Sequence, residues 1–185
     1  MIDDVLKETK NKMKASVAAL QEDLSAIRTG RASPTLVEKL NVQYYDQPTP
    51  LMQLASISVP EPRQLLIRPF DAASISDIEK AIQVSDLGLN PNSDGKVIRL
   101  SLPQLTEERR VELVKIVQSR VEEARISIRN SRRDAIKDLR EFEEEKMISE
   151  DDLHRGEDGA QKMTDEYISE IDTLGENKEK EVMEV

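Results

Sequence analysis

The sequence predicts an α+β protein of two domains, a long antiparallel three-helix bundle with a small β/α/β domain inserted into it. Three observations carry this. All eight prolines, Pro34 to Pro103, fall in the middle of the 185 residues. Residues 31–105 hold 7 Lys/Arg and 8 Asp/Glu, while the two flanks hold the other 49 of the 64 charged side chains. Apolar residues in the flanks recur at the three-four spacing of a helix seam. Proline-free, charge-rich sequence reads as long helix, because proline costs roughly 3 kcal/mol inside one. Proline-punctuated sequence with short apolar runs reads as strands and turns. The expected boundaries are 1–30 plus 105–185 for the bundle and 31–104 for the insert.

The first helix is expected over residues 2–28. Leu6, Met13, Leu20 and Ile27 recur every seven residues, with Val17 and Leu24 between them, which is a bundle seam. Gly30 is expected to stop it. The second helix is expected from Thr106 to Lys146, with Thr106 as N-cap before Glu107 and Glu108. Its stripe is Val114, Val117, Val121, Ala124, Ile128, Ser131, Ala135 and Asp138 or Leu139. The third begins at Ser149, where Ser149-Glu150-Asp151-Asp152 resembles a capping box with Asp in place of Glu. Leu153, Ala160, Met163, Tyr167, Ile171 and Leu174 continue its stripe. Gly156, Gly159 and Gly175 each cost roughly 1 kcal/mol against Ala in a helix, so this helix is expected to be the least stable. The short link at 147–149 makes the second and third helices antiparallel neighbours.

The insert offers strand candidates at Leu40–Tyr44, Ala55–Val59, Gln64–Phe70 and Val97–Leu102, and one helix at Ser74–Ser85. Tyr44 and Tyr45, if both lie in a strand, point to opposite faces. Two connectors, Thr29-Gly30-Arg31 and Pro103-Gln104-Leu105-Thr106, join the domains and could form either a hinge or a rigid elbow.

Composition narrows the function. There is no Cys and a single His, His154, which excludes thiolate metal sites and Cys nucleophiles and nearly excludes Ser-His-Asp hydrolysis. The acids lie in runs with no apolar pocket to raise a pKa, which argues against a paired-carboxylate hydrolase. Asp86–Pro91 has one Gly and lacks the lysine of a phosphate-binding loop. No cofactor, metal or nucleotide site is expected. No apolar run approaches the ~20 residues of a membrane span, and the N-terminus lacks the pattern of a secretory signal. A cytoplasmic, monomeric protein is expected, binding neither DNA nor membrane.

The formal charge of −10 hides a local reversal. Between Ser119 and Arg133 there are five Arg against Glu122 and Glu123, whereas Glu141–Asp158 carries nine acids against Lys146 and Arg155. Arg125, Arg129 and Arg132 share one helical face beside the seam, with Arg133 at its flank. Arg makes paired hydrogen bonds to phosphate and stacks on bases. Arg129 and Glu143 are about 21 Å apart along a helix, beyond two Debye lengths of ~8 Å, so the acidic end hardly cancels the basic face. Read by spacing alone, these arginines are more simply exposed ion pairs on a charged helix, and the protein a helical adaptor or chaperone.

Several strings change that balance. Arg28-Thr29-Gly30-Arg31-Ala32-Ser33-Pro34, Thr49-Pro50-Leu51, Ser85-Asp86-Leu87-Gly88-Leu89-Asn90-Pro91, Leu105-Thr106-Glu107-Glu108-Arg109-Arg110, Arg129-Asn130 followed by Arg132-Arg133, and Gln161-Lys162-Met163-Thr164-Asp165 run from end to end in order. The chain resembles the bacterial ribosome recycling factors. Asp46, where the family usually has Gly, and Ser131, where it usually has Ile, depart from the pattern. The resemblance implies an L-shaped, tRNA-like pair of domains. It implies a non-enzymatic factor that works with elongation factor G and that partner's GTP hydrolysis to split the post-termination ribosome. It further implies a helical domain on large-subunit rRNA, with Arg129, Arg132, Arg133 and Arg125 as contacts and Arg110, Arg28 and Arg31 as weaker candidates. The small domain is implied to face elongation factor G and to rotate about the two connectors.

Overall fold

The computed structural model describes residues 1–184. The chain forms two compact units, one of Met1–Arg28 with Glu107–Glu184 and the other of Thr29–Thr106.

The first unit is three helices, α1 (Ile2–Ala26), α4 (Glu107–Glu144) and α5 (Glu150–Met183), each packed against the other two. Met13, Val17, Leu20 and Leu24 of α1 are buried, while Leu6 and Ile27 of the same heptad are half-buried. Helix α1 ends four residues before Gly30. Ile27 is already extended at φ −74° and ψ 112°, and its N–H closes on the Leu24 carbonyl. Gly30 is therefore not the helix stop. It sits in the first connector at φ +77°, where only glycine is unstrained. A Cβ there would meet Leu105 Cγ at 3.3 Å, so the two connectors touch.

In α4 the buried line runs Leu113, Val117, Val121, Ala124, Ile128, Ser131, Ala135 and Leu139. Leu113 takes the place expected for Val114, which is half-buried. Ser131 is satisfied by donating to the Ser127 carbonyl at 3.1 Å, so it sits in the seam without an orphaned hydroxyl.

Helix α5 starts as expected. The Ser149 hydroxyl accepts from the Asp152 N–H, and Asp152 accepts from the Ser149 N–H, a closed capping box. Its buried line shares Ala160 and Ile171 with the expected stripe and otherwise differs from it. Gly156, Ala160, Thr164, Ile171, Gly175 and Val182 are buried, while Leu153, Met163, Tyr167 and Leu174 are half-buried at its sides. The small residues mark where helix backbones come close. A Cβ on Gly156 would sit 2.7 Å from Leu139 Cδ1, and one on Gly175 would sit 2.7 Å from Val121 Cγ2. The glycines that read as helix weaknesses are the contact points of the bundle.

The second unit has six strands rather than the four expected. A ribbon of β1 (Asn41–Tyr44) and β2 (Gln47–Pro50) is joined by a two-residue turn. Tyr45 and Asp46 form that turn at φ 48° and 61°, the mirror-image geometry that suits strand twist. Tyr45 is therefore not in a strand, and its ring meets that of Tyr44 edge-on with centroids 4.5 Å apart. A four-stranded antiparallel sheet has the order β3-β4-β6-β5, formed by β3 (Ala55–Glu61), β4 (Gln64–Pro69), β6 (Ile98–Ser101) and β5 (Pro91–Ser93). Helices α2 (Leu51–Leu54) and α3 (Ile75–Val84) complete the unit. Strands β2 (Gln-Pro-Thr-Pro) and β5 (Pro-Asn-Ser) are not among the expected strands because neither carries the apolar alternation that marks one. Pro48 and Pro50 pair with Gln43 and Asn41. In a two-residue hairpin these are the non-hydrogen-bonded positions, so neither proline removes a ladder bond. The core gathers Val37, Val42, Leu51, Leu65, Ile67, Ile78, Ile82, Ile98 and Leu100, all fully buried.

Candidate nucleic-acid interface

The structure divides the expected arginine face into two environments. Arg125 is spoken for within the bundle. Its Nε donates to Asp172 Oδ1 at 2.8 Å, its Nη2 lies 2.6 Å from the same oxygen, and its Nη1 donates to Glu122 Oε2 at 3.0 Å. The Asp172 and Glu122 hydrogen bonds, in that order, hold its pKa above the usual arginine value. It straps α4 to α5. Arg129 shares Glu122, donating from Nη1 to Oε1 at 3.1 Å. Arg125 first and Arg129 second hold the Glu122 carboxyl below its ordinary range. These four side chains sum to zero charge.

One turn further along α4 the pattern changes. Arg132 Nη1 donates to Gln161 Oε1 on α5 at 2.5 Å, a neutral acceptor. Its Nε is buried with no hydrogen-bond partner. Arg133 is exposed and makes no ion pair among the described residues. Arg132 and Arg133 thus keep their positive charges clear of any carboxylate contact. Two residues of α5 shape this face, Asp172 and Gln161. Spacing along α4 could not reveal them, because they arrive through the register of a helix 29 to 47 residues away.

The remaining candidates lie elsewhere. Arg110 Nη1 donates to the Met183 carbonyl at 3.2 Å, tying the start of α4 to the end of α5, and its Nε is buried without a partner. Arg28 closes the helical unit and Arg31 lies near the start of the second unit; both are exposed. The connector residues Thr29, Gly30, Arg31, Pro103, Gln104, Leu105 and Thr106 all belong to that second unit. Within it Thr29 is buried, and Ala32 donates to the Pro62 carbonyl at 2.7 Å.

At the other end of the bundle acids dominate. Arg140 pairs with Glu157 at 2.9 Å, Arg155 pairs with Asp152, and exposed His154 lies 3.9 Å from both Glu150 and Glu157. Among the described residues no cluster of His, Cys, Asp or Glu is arranged to hold a metal ion, and no helix is long and apolar enough to cross a membrane. Chemically, the helical unit offers a charged docking surface.

The family model "Ribosome recycling factor" matches residues 20–183. The chain is 58% identical to the ribosome-recycling factor of Chloroflexus aurantiacus and 55% identical to that of Syntrophomonas wolfei. It is 52% identical to that of Bacillus subtilis, and each match covers the full length of both chains. A solution structure of a ribosome recycling factor superposes with a TM-score of 0.77 at 46% identity, covering 100% of this chain and 98% of the other. The Thermus thermophilus ribosome recycling factor, in models with the Escherichia coli elongation factor G bound to the E. coli post-termination complex, gives 0.65 at 42% identity, covering 98% of each chain.

Proposed function

The chain belongs to the ribosome recycling factor family, and from that premise we propose how it does its work. It binds the post-termination ribosome through large-subunit rRNA, with Arg132 and Arg133 as principal phosphate contacts and Arg129 beside them. Arg125 contributes by holding α4 against α5. Arg110, Arg28 and Arg31 add peripheral contacts. Elongation factor G, the partner named with the T. thermophilus relative, engages the insert and supplies GTP hydrolysis, so the chain itself acts as a translation factor without a catalytic residue. The insert then rotates about Thr29-Gly30-Arg31 and Pro103-Gln104-Leu105-Thr106, and the ribosome separates into subunits. The protein works as a monomer in the cytoplasm.

The observation that carries the RNA reading is the pair of unneutralised arginines on one stretch of α4 in a chain of net charge −10. Such a face would meet rRNA through backbone and shape rather than base identity.

Light scattering tests the proposal. Wild type with elongation factor G and GTP should split post-termination ribosomes, and Arg132→Ala should lose ribosome affinity on the order of ten- to a hundredfold. That is the equivalent of one charge-assisted hydrogen-bonding group, about 1.5–3 kcal/mol. A folded Arg132→Ala protein that binds and splits like wild type would place the RNA contact elsewhere. A crosslink between the two units, added as a further arm, should spare binding and block splitting; full splitting with the crosslink closed would exclude rotation.

A further inference from the structure

The arginine that faces RNA in the proposed function is not held by chance. Gln161 Oε1 accepts from Arg132 while Gln161 Nε2 donates to Asp165 Oδ1 at 2.8 Å, one turn further along α5. An ionised carboxylate only accepts and a guanidinium only donates. The amide is therefore oriented by its two neighbours. Turned over, it would set its NH₂ group against the guanidinium and its oxygen against the carboxylate. Asp165 fixes Gln161, and Gln161 fixes Arg132.

The chemistry of the acceptor matters as much as its place. Three arginine contacts on this stretch of α4 end on carboxylates, those of Arg125 with Glu122 and Asp172 and that of Arg129 with Glu122. Arg132 ends on a neutral oxygen. The guanidinium is anchored at one Nη while its charge stays whole. Its Nε is sealed in the helix contact without a partner, so its inner edge faces protein. Of the five N–H groups of a guanidinium, Gln161 takes one and the sealed Nε accounts for another. The remaining three are unclaimed among the described residues, and a bidentate phosphate contact needs two of them. A carboxylate at position 161 would give the same anchoring and cancel the field.

We infer that Gln161 is a positioning residue for RNA binding, holding Arg132 in place with an uncharged acceptor so that the guanidinium stays free to neutralise a backbone phosphate. The inference rests on the reading of Arg132 as an rRNA contact.

The test is binding of the full-length protein to large ribosomal subunits across a salt series, for wild type, Arg132→Ala, Gln161→Glu, Gln161→Ala and the double variant Arg132→Ala/Gln161→Glu. Gln161 is exposed, so a thermal melt should show each variant folded. Gln161→Glu should weaken binding about as much as Arg132→Ala. It should also flatten the dependence of log affinity on log salt by roughly 0.7–0.9, the loss of one phosphate contact. Gln161→Ala should weaken binding a few-fold and keep the wild-type slope, because Arg132 still reaches phosphate from a looser start. In the double variant the Gln161→Glu effect should disappear. Wild-type affinity in Arg132→Ala would overturn the reading of the face and this inference with it. Weak binding by Arg132→Ala, with wild-type affinity and slope for Gln161→Glu, would overturn the inference alone. An undiminished Gln161→Glu effect in the Arg132→Ala background would show position 161 acting on RNA directly, and would also overturn the positioning role.

Discussion

The two units bury their apolar residues in opposite ways. The second unit, the shorter of the two, gathers fourteen buried residues into one cluster bounded by sheet, ribbon and helix. The bundle, with more residues, has a main cluster of nine, drawn out along the helices. Its seam also accepts polar and missing side chains. Thr9, Ser131 and Thr164 are buried and turn their hydroxyls back to carbonyls four residues earlier, while Gly156 and Gly175 bring α5 against α4. The sheet unit is pinned by hydrogen-bond ladders around a thick core. The bundle draws a thinner core out along three helices that no backbone ladder ties to one another. The cost of losing a side chain should therefore depend on which kind of neighbourhood can close the gap.

The sharpest way to break that comparison is the same substitution in both places. Ile67 and Ile128 are each fully buried. Ile67 sits in β4 between Ile57 of β3 and Ile98 of β6. Ile67→Ala is expected to cost about 4 kcal/mol and Ile128→Ala about 2, the upper and lower parts of the observed range for such truncations. Amide hydrogen exchange read separately in each unit would measure both. Equal costs would mean that the bundle is as unyielding as the sheet.

A smaller effect is expected where the bundle cannot yield. Gly175→Ala should gain roughly 1 kcal/mol of helix propensity and lose more than that to the 2.7 Å approach of Val121 Cγ2, since overpacking costs typically 1–3 kcal/mol. A net loss of about 1 kcal/mol in chemical denaturation is the expected outcome. A stabilised variant would show that even this contact is slack.

The smallest effect concerns the start of α5. The Ser149 hydroxyl and then Arg155 hold the Asp152 carboxyl below its ordinary range. A lowered folded-state pKa gives stability that is present above the ordinary aspartate value and lost as pH falls through the lowered one. Wild type should therefore lose helix signal from α5 on acidification below about pH 4 with a contribution that Asp152→Asn lacks. Superimposable acid titrations would mean that the charge of Asp152 adds nothing to the bundle.

Much of this was legible beforehand. Heptad spacing located α1 through Met13, Val17, Leu20 and Leu24, because one buried side requires one apolar stripe. The three long helices, the inserted small domain and the family followed from charge, proline placement and strings. What stayed hidden depends on a second element. The expected stripe of α5 holds at Ala160 and Ile171, with Met163, Tyr167 and Leu174 packed at its edge; a hydrophobic scan passes over Gly156 and Gly175, which the close approach of α4 side chains selects. The fates of the arginines were hidden for the same reason. Arg125 and Arg132 look alike along α4, and only the α5 register assigns Asp172 to one and Gln161 to the other.

The prolines of the ribbon have a further consequence. At the non-hydrogen-bonded positions of β2 the backbone nitrogens face away from β1, and both of those nitrogens belong to prolines, Pro48 and Pro50. The β2 edge of the ribbon therefore presents carbonyls but no amide hydrogen. The outer strands of the larger sheet carry prolines too, Pro60 in β3 and Pro91 in β5. A stray strand from another chain would find an incomplete template along β2, β3 and β5, so the residues that punctuate the fold also guard these edges against aggregation by edge-to-edge pairing.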